Sequence, residues 1–101
     1  MQSTILIPQN IRDRAKAYCS AIQDIMGVDV FDKHRTLQHA IARMIVAYAL
    51  RQTGVSYSDC ARLLHKTHPT IIYYEEKMKT ILTTPGYEAE REIWKKFKER
   101  I

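Results

Sequence analysis

The chain is poor in residues that break regular structure, with three glycines and three prolines among 101 positions. That is too few for an all-β or low-complexity protein, which needs such residues at its many turns. Its two cysteines, Cys19 and Cys60, are far apart and form no Cys-x-x-Cys pair. A disulfide framework or a metal ribbon therefore lacks its ligands, and both thiols are expected to pack as small apolar groups. No apolar run reaches membrane-spanning length, and the opening Met-Gln-Ser-Thr-Ile-Leu-Ile stops at Pro8 without a basic leader. A soluble, cytoplasmic protein is the expectation. Paired carboxylates, a glycine-rich phosphate loop and a nucleophile with its base are missing too, so neither an enzyme nor a cofactor is expected.

What is present is enough for one core: 46% of the residues are hydrophobic, and residues 1–101 read as a single domain. The net charge of +5 is unevenly spread, for residues 33–79 hold eight Lys or Arg against three acids and contain all four histidines. The flanking segments are nearly neutral. A local positive surplus attracts polyanions, because basic groups that neutralise phosphates release counterions. A solvated helix face would carry the same composition.

The spacing of apolar residues predicts an all-α fold of about five helices, near residues 9–26, 36–53, 57–64, 68–82 and 87–100. Ile11, Ala15, Tyr18, Ile22, Ile25 and Met26 mark the buried face of the first, which Gly27 ends. Val28 to Asp32 reads as a packed connection with Val30 and Phe31 plugging the core. Leu37, Ala40, Ile41, Met44, Ile45, Tyr48 and Ala49 face inward from the second helix, and Gly54 suits a left-handed stop. Ser56 is an N-cap for the third, with Asp59 in its first turn able to reach back to amide donors. Thr67 or His68 caps the fourth, with Pro69 in its first turn. Tyr87, Ala89, Ile93, Trp94, Phe97 and Ile101 describe the last.

Residues 56–74 fit a helix-turn-helix. Cys60, Leu64, Ile71 and Tyr74 fall where the two helices bury apolar groups, and Ala61 stands at their close crossing. His65 occupies the turn position where glycine is common. The start of the second helix then projects outward, so that His68, Pro69, Thr70 and Tyr73 are candidates to face bases in a major groove.

With these residues in place, the chain resembles the C-terminal DNA-binding domain (domain IV) of the bacterial replication initiator DnaA, of the Trp-repressor-like group. Lys33, His34 and Arg35, followed by Ala40 and Arg43, look like that family's basic loop and long helix. Ser56-Tyr57-Ser58-Asp59 is similar to its Ser-Leu-Pro-Glu helix start, and Lys66-Thr67-His68-Pro69-Thr70-Ile71-Ile72-Tyr73 to its Arg-Asp-His-Ser/Thr-Thr-Val-x-His signature. The resemblance covers most of the chain and implies that Arg35 enters a minor groove, that His68 and Thr70 touch bases, and that Lys66, Arg51, Tyr57 and Ser58 lie near phosphates. Thr67 replaces the family's Asp and Pro69 its Ser or Thr, and the turn is one residue shorter, so a different base sequence is implied. Lys33, His34, Arg43, Thr67 and Lys77 complete the expected DNA-contacting set.

The expected function is sequence-specific binding of double-stranded DNA by a stand-alone domain, in replication or transcription control and with a monomer favoured. The alternative is a protein-binding adaptor that retains the fold and targets a replication or transcription factor, suggested by the two replaced signature residues and by the apolar stripe Ile93, Trp94, Phe97 and Ile101 on the C-terminal helix. A metal site built from Cys60, His65 and His68 is not expected, because zinc needs about four convergent ligands.

Overall fold

The computed structural model describes residues 7–101, so most of the opening apolar stretch, and the reading of it as neither leader nor span, lies outside the described residues. Five helices follow in order: α1 (Gln9–Met26), α2 (Leu37–Gln52), α3 (Tyr57–Leu64), α4 (His68–Thr83) and α5 (Glu88–Arg100). The fold is all-α, with no strand among the described residues, and each helix boundary lies within one residue of the expected one. No helix among the described residues is long and apolar enough to cross a membrane.

Local chemistry accounts for the boundaries. Gly27 ends α1 at φ 69° and donates its N–H to the Gln23 carbonyl at 2.7 Å. Thr36, Ser56 and Thr67 cap α2, α3 and α4, their hydroxyl oxygens accepting the N–H of His39, Asp59 and Thr70 at 3.3, 3.1 and 3.4 Å. Each such cap satisfies an amide that has no partner inside its helix, an effect of about 1 kcal/mol. Asp59 stands in the first turn as expected. Its carboxylate, however, accepts from Arg62 at 3.3 Å, a side-chain partner one turn on.

Helix α2 is the centre of the molecule, packed against α1, α3 and α4. Its sequence marks one apolar face, yet Ala42, Val46, Ala47 and Leu50 are buried as well, because neighbours surround it from Ile41 onward. A helix enclosed on all sides has no solvent face to keep polar. Leu37 is the correction here: at 67% exposed it does not face inward, since it opens the helix a turn ahead of the point where the neighbours close.

The connection between α1 and α2 buries Val28 and Val30, but Phe31 is 47% exposed and does not plug the core. Its ring lies 5.1 Å from that of His65 and walls an open groove of about 360 Å³ shared with Cys19 and Leu63. Helix α5 closes the base. Trp94 and Phe97 are buried, with Phe97 edge-on to Tyr18 at 5.5 Å and Trp94 edge-on to Tyr48 at 5.4 Å. Burial of each such ring contributes about 2–3 kcal/mol. Ala89 and Ile101, expected in this apolar stripe, are exposed: Ala89 lies on the solvent phase of the first turn and Ile101 beyond the last.

Candidate nucleic-acid interface

Helices α3 and α4 meet through the three residues 65–67. Cys60, Ala61 and Leu64 of α3 and Ile71 and Tyr74 of α4 are all buried, as the spacing predicted. Helix α3 ends on a doubled closure, with the His65 N–H donating to the Arg62 carbonyl at 3.4 Å and the Lys66 N–H to the Ala61 carbonyl at 2.8 Å. This closure requires a left-handed residue, which is usually glycine. His65 supplies it at φ 56°, as the only non-glycine residue with positive φ among the described residues.

Beyond the turn, Thr67, His68 and Pro69 are exposed and Thr70 is half-buried, so the amino end of α4 faces solvent. Its backbone has little to offer an anion. Pro69 has no N–H, and that of Thr70 is held by the Thr67 hydroxyl, which also lies 2.9 Å from the Thr70 hydroxyl. The groups this end presents to solvent are therefore chiefly side chains. Tyr73, 57% exposed, continues the stripe one turn from Thr70, and Lys77 follows it. The Lys77 ammonium donates to the Tyr87 hydroxyl at 3.3 Å, which draws it toward the base of α5.

The basic loop before α2 divides into exposed and structural charges. Lys33, His34 and Arg35 are exposed. Arg43, expected to meet DNA, is instead only 6% exposed, and its guanidinium donates to the main-chain carbonyls of Val30, Asp32 and His34. The forked guanidinium satisfies three acceptors of a loop that has no sheet or helix partner for them. Its role is to shape the loop. Burial, and then the positive charges of Arg43 and Arg35, hold the Lys66 ammonium below the usual lysine value. The structure thus brings the exposed Arg35 and the turn residue Lys66 into one field, although they lie far apart in sequence.

Two further expected phosphate ligands are engaged internally. The Arg51 guanidinium lies 3.8 Å above the Tyr57 ring and donates from Nη1 to the Val55 carbonyl at 2.8 Å. Its Nε is 3.3 Å from Glu75 Oε2, an ion pair by distance whose angle makes no hydrogen bond. The Tyr57 hydroxyl donates to the other carboxylate oxygen of Glu75. This partly buried cluster ties α2, α3 and α4 together, so Arg51 and Tyr57 are not free side chains. The Tyr57 ring nevertheless lies 5.3 Å from that of His68 and backs it from the α3 side, while Ser58 is exposed.

The expected set therefore splits. Arg35, Lys66, Thr67, His68, Pro69, Thr70 and Tyr73, with Lys33, His34 and Ser58, are at least partly open to solvent; Arg43 is buried, and Arg51, Tyr57 and Lys77 are half-buried and engaged with other parts of the chain. Glu75 was missed by the sequence reading, since nothing in its spacing points to a partner on another helix. A second missed group is Asp32, His34 and His39, whose ligand-type atoms all lie within 4.8 Å of one another. Comparison of the chain with protein-family models, curated proteins and solved structures finds no match.

Proposed function

We propose that this protein binds double-stranded DNA in a sequence-dependent manner, through a helix-turn-helix formed by α3 and α4, in replication or transcription control. The observation that carries the reading is the solvent-facing amino end of α4 with Lys66 beside it, whose ammonium is held below the usual lysine value by burial first and then by the charges of Arg43 and Arg35. Positive groups held together against mutual repulsion favour a polyanion that relieves it. Of the three acids of α3 and α4, Asp59 is paired with Arg62 and Glu75 with Arg51, which leaves the exposed Glu76 as the one that opposes this field.

In this reading α4 enters a major groove with His68, Thr70 and Tyr73 toward base edges, while Arg35 reaches a minor groove and Lys66 and Ser58 meet phosphates. Pro69 and Thr67 replace polar residues of the initiator family that the chain resembles, so the preferred site differs from that family's. Fluorescence anisotropy with labelled duplexes over a salt series tests the proposal. Affinity should fall steeply with salt, with a slope of about 0.9 per neutralised phosphate. Absence of binding even at low salt rejects it.

The adaptor alternative keeps one motive, the replacement of two signature polar residues by Thr67 and Pro69, while its second, the apolar C-terminal stripe, is weakened. Trp94 and Phe97 are buried in the core, so the C-terminal stripe closes the fold and leaves only Ile101 as a large exposed apolar side chain on it.

A further inference from the structure

Asp32 and His34 sit on the connection between α1 and α2, and His39 lies in the first turn of α2. The main chain under the first two is held by Arg43, through the carbonyls of Asp32 and His34. The side chains converge on the carboxylate: His34 Nδ1 is 2.5 Å from Asp32 Oδ1, and His39 Nε2 is 3.8 Å from Asp32 Oδ2. The two imidazoles stack at 5.6 Å with 29° between their planes. On its far side, His39 Nδ1 lies 2.6 Å from the Thr36 hydroxyl. When Nδ1 carries the proton and donates to Thr36, Nε2 keeps its lone pair, 3.8 Å from the carboxylate.

We propose that Asp32, His34 and His39 bind a divalent cation of the zinc class. Two imidazole nitrogens and a carboxylate oxygen form the borderline donor set that selects Zn²⁺, Co²⁺ or Ni²⁺ over Mg²⁺ and Ca²⁺. In a tetrahedral site, ligands about 2.0–2.1 Å from the metal stand about 3.3 Å from each other. The donor atoms here already lie within 4.8 Å, so small side-chain rotations of the two loop residues and of His39 in the first turn of α2 suffice. Three protein ligands leave the fourth position to water or another oxygen donor. The hydroxyl behind His39 is the outer-shell partner that fixes a metal-binding tautomer and orients the ring. A surface hydrogen-bonded Asp–His pair would explain His34, but it gives no reason for His39 Nε2 to lie 3.8 Å from the same carboxylate with its other nitrogen anchored. Against the site stand the charges of Lys33, Arg35 and Arg43, which raise the cost of a further cation. The Asp32 carboxylate offsets one of them, and solvent screens the exposed two.

This inference does not depend on DNA binding, and its test uses the metal alone. The intact protein is titrated with ZnCl₂ by calorimetry and with CoCl₂ while the visible d–d bands of bound Co²⁺ are followed, with MgCl₂ as control and circular dichroism to verify the fold. The expected result is one saturable Zn²⁺ site, Co²⁺ bands of low-coordinate type, and no response to Mg²⁺. His34→Ala and His39→Ala should each weaken binding by more than about tenfold, and Thr36→Val by less, with Thr36→Ser restoring it. Absence of saturable Zn²⁺ binding overturns the proposal. So does binding that survives both histidine variants, or that is lost on His65→Ala or His68→Ala, since another set of ligands would then hold the metal.

Discussion

Arg43 Nε donates to the Val30 carbonyl at 2.9 Å, joining the middle of the central helix to the connection that precedes it. A charged group is thereby buried on α2 without a carboxylate partner, its charge spread over main-chain carbonyls.

Replacing Arg43 by Leu should lower stability by about 2–4 kcal/mol, because three carbonyls lose their donor in a poorly solvated place. Arg43→Lys should recover only part of this loss, since an ammonium cannot reach three acceptors in the plane of a fork. Urea unfolding of both variants measures the difference as a shift in midpoint.

The Arg51, Tyr57 and Glu75 cluster yields a graded series. Glu75→Ala leaves a partly buried guanidinium without its counter-charge and should cost about 2–4 kcal/mol, whereas Tyr57→Phe removes one hydrogen bond and should cost about 1 kcal/mol. Thermal melts should rank them in that order. Equal losses would mean that the ion pair adds nothing beyond the hydroxyl.

For DNA binding, Arg35→Ala should weaken affinity on all duplexes and flatten the salt dependence, whereas His68→Ala should cost about 1–3 kcal/mol chiefly on the preferred sequence. Thr70→Ser, which keeps the hydroxyl, should stay close to the parent protein. Anisotropy on the sequence recovered from random duplexes, set against a scrambled one, separates the two classes. Equal losses from His68→Ala on both would contradict a base contact.

The thiols give a test in alkaline solution. Burial pushes both Cys60 and Cys19 up to about 11 from the ordinary value of 9.0, with Asp29 adding to the effect at Cys19. Folding favours the neutral thiol, so this stabilisation is complete below pH about 9 and is lost as pH rises toward 11. Stability measured from pH 8 to 11 should fall, and Cys60→Ala should flatten the fall. At pH 8 Cys60 should resist alkylation in the folded protein and react once the protein is unfolded in urea.

Most helix ends could be read from the sequence because their causes are local. Ser56, Thr67 and Gly27 act within four residues of themselves, and the burial of Cys60, Leu64, Ile71 and Tyr74 follows from helical phase. The misjudged residues mark the limit of phase. Leu37 has the inward phase but no neighbour at its end of α2, and Phe31 follows Val30 on an irregular segment where neither helical nor strand period holds.

What the sequence determined by itself, then, is an all-helical chain with its capped ends, its apolar faces and a central surplus of positive charge. Which of those charges meet solvent was decided by the tertiary fold. Arg35 and Arg43 look alike in composition, yet one is exposed while the other is wrapped in carbonyls, and Arg51 is paired with Glu75 from another helix. The same packing placed Lys66 where burial and the charges of Arg43 and Arg35 act on it, and set Arg43 under the main chain of Asp32 and His34. Helix formation answers to neighbours a turn away, whereas the fate of a charge depends on whichever acceptors distant segments bring within a few ångströms of it.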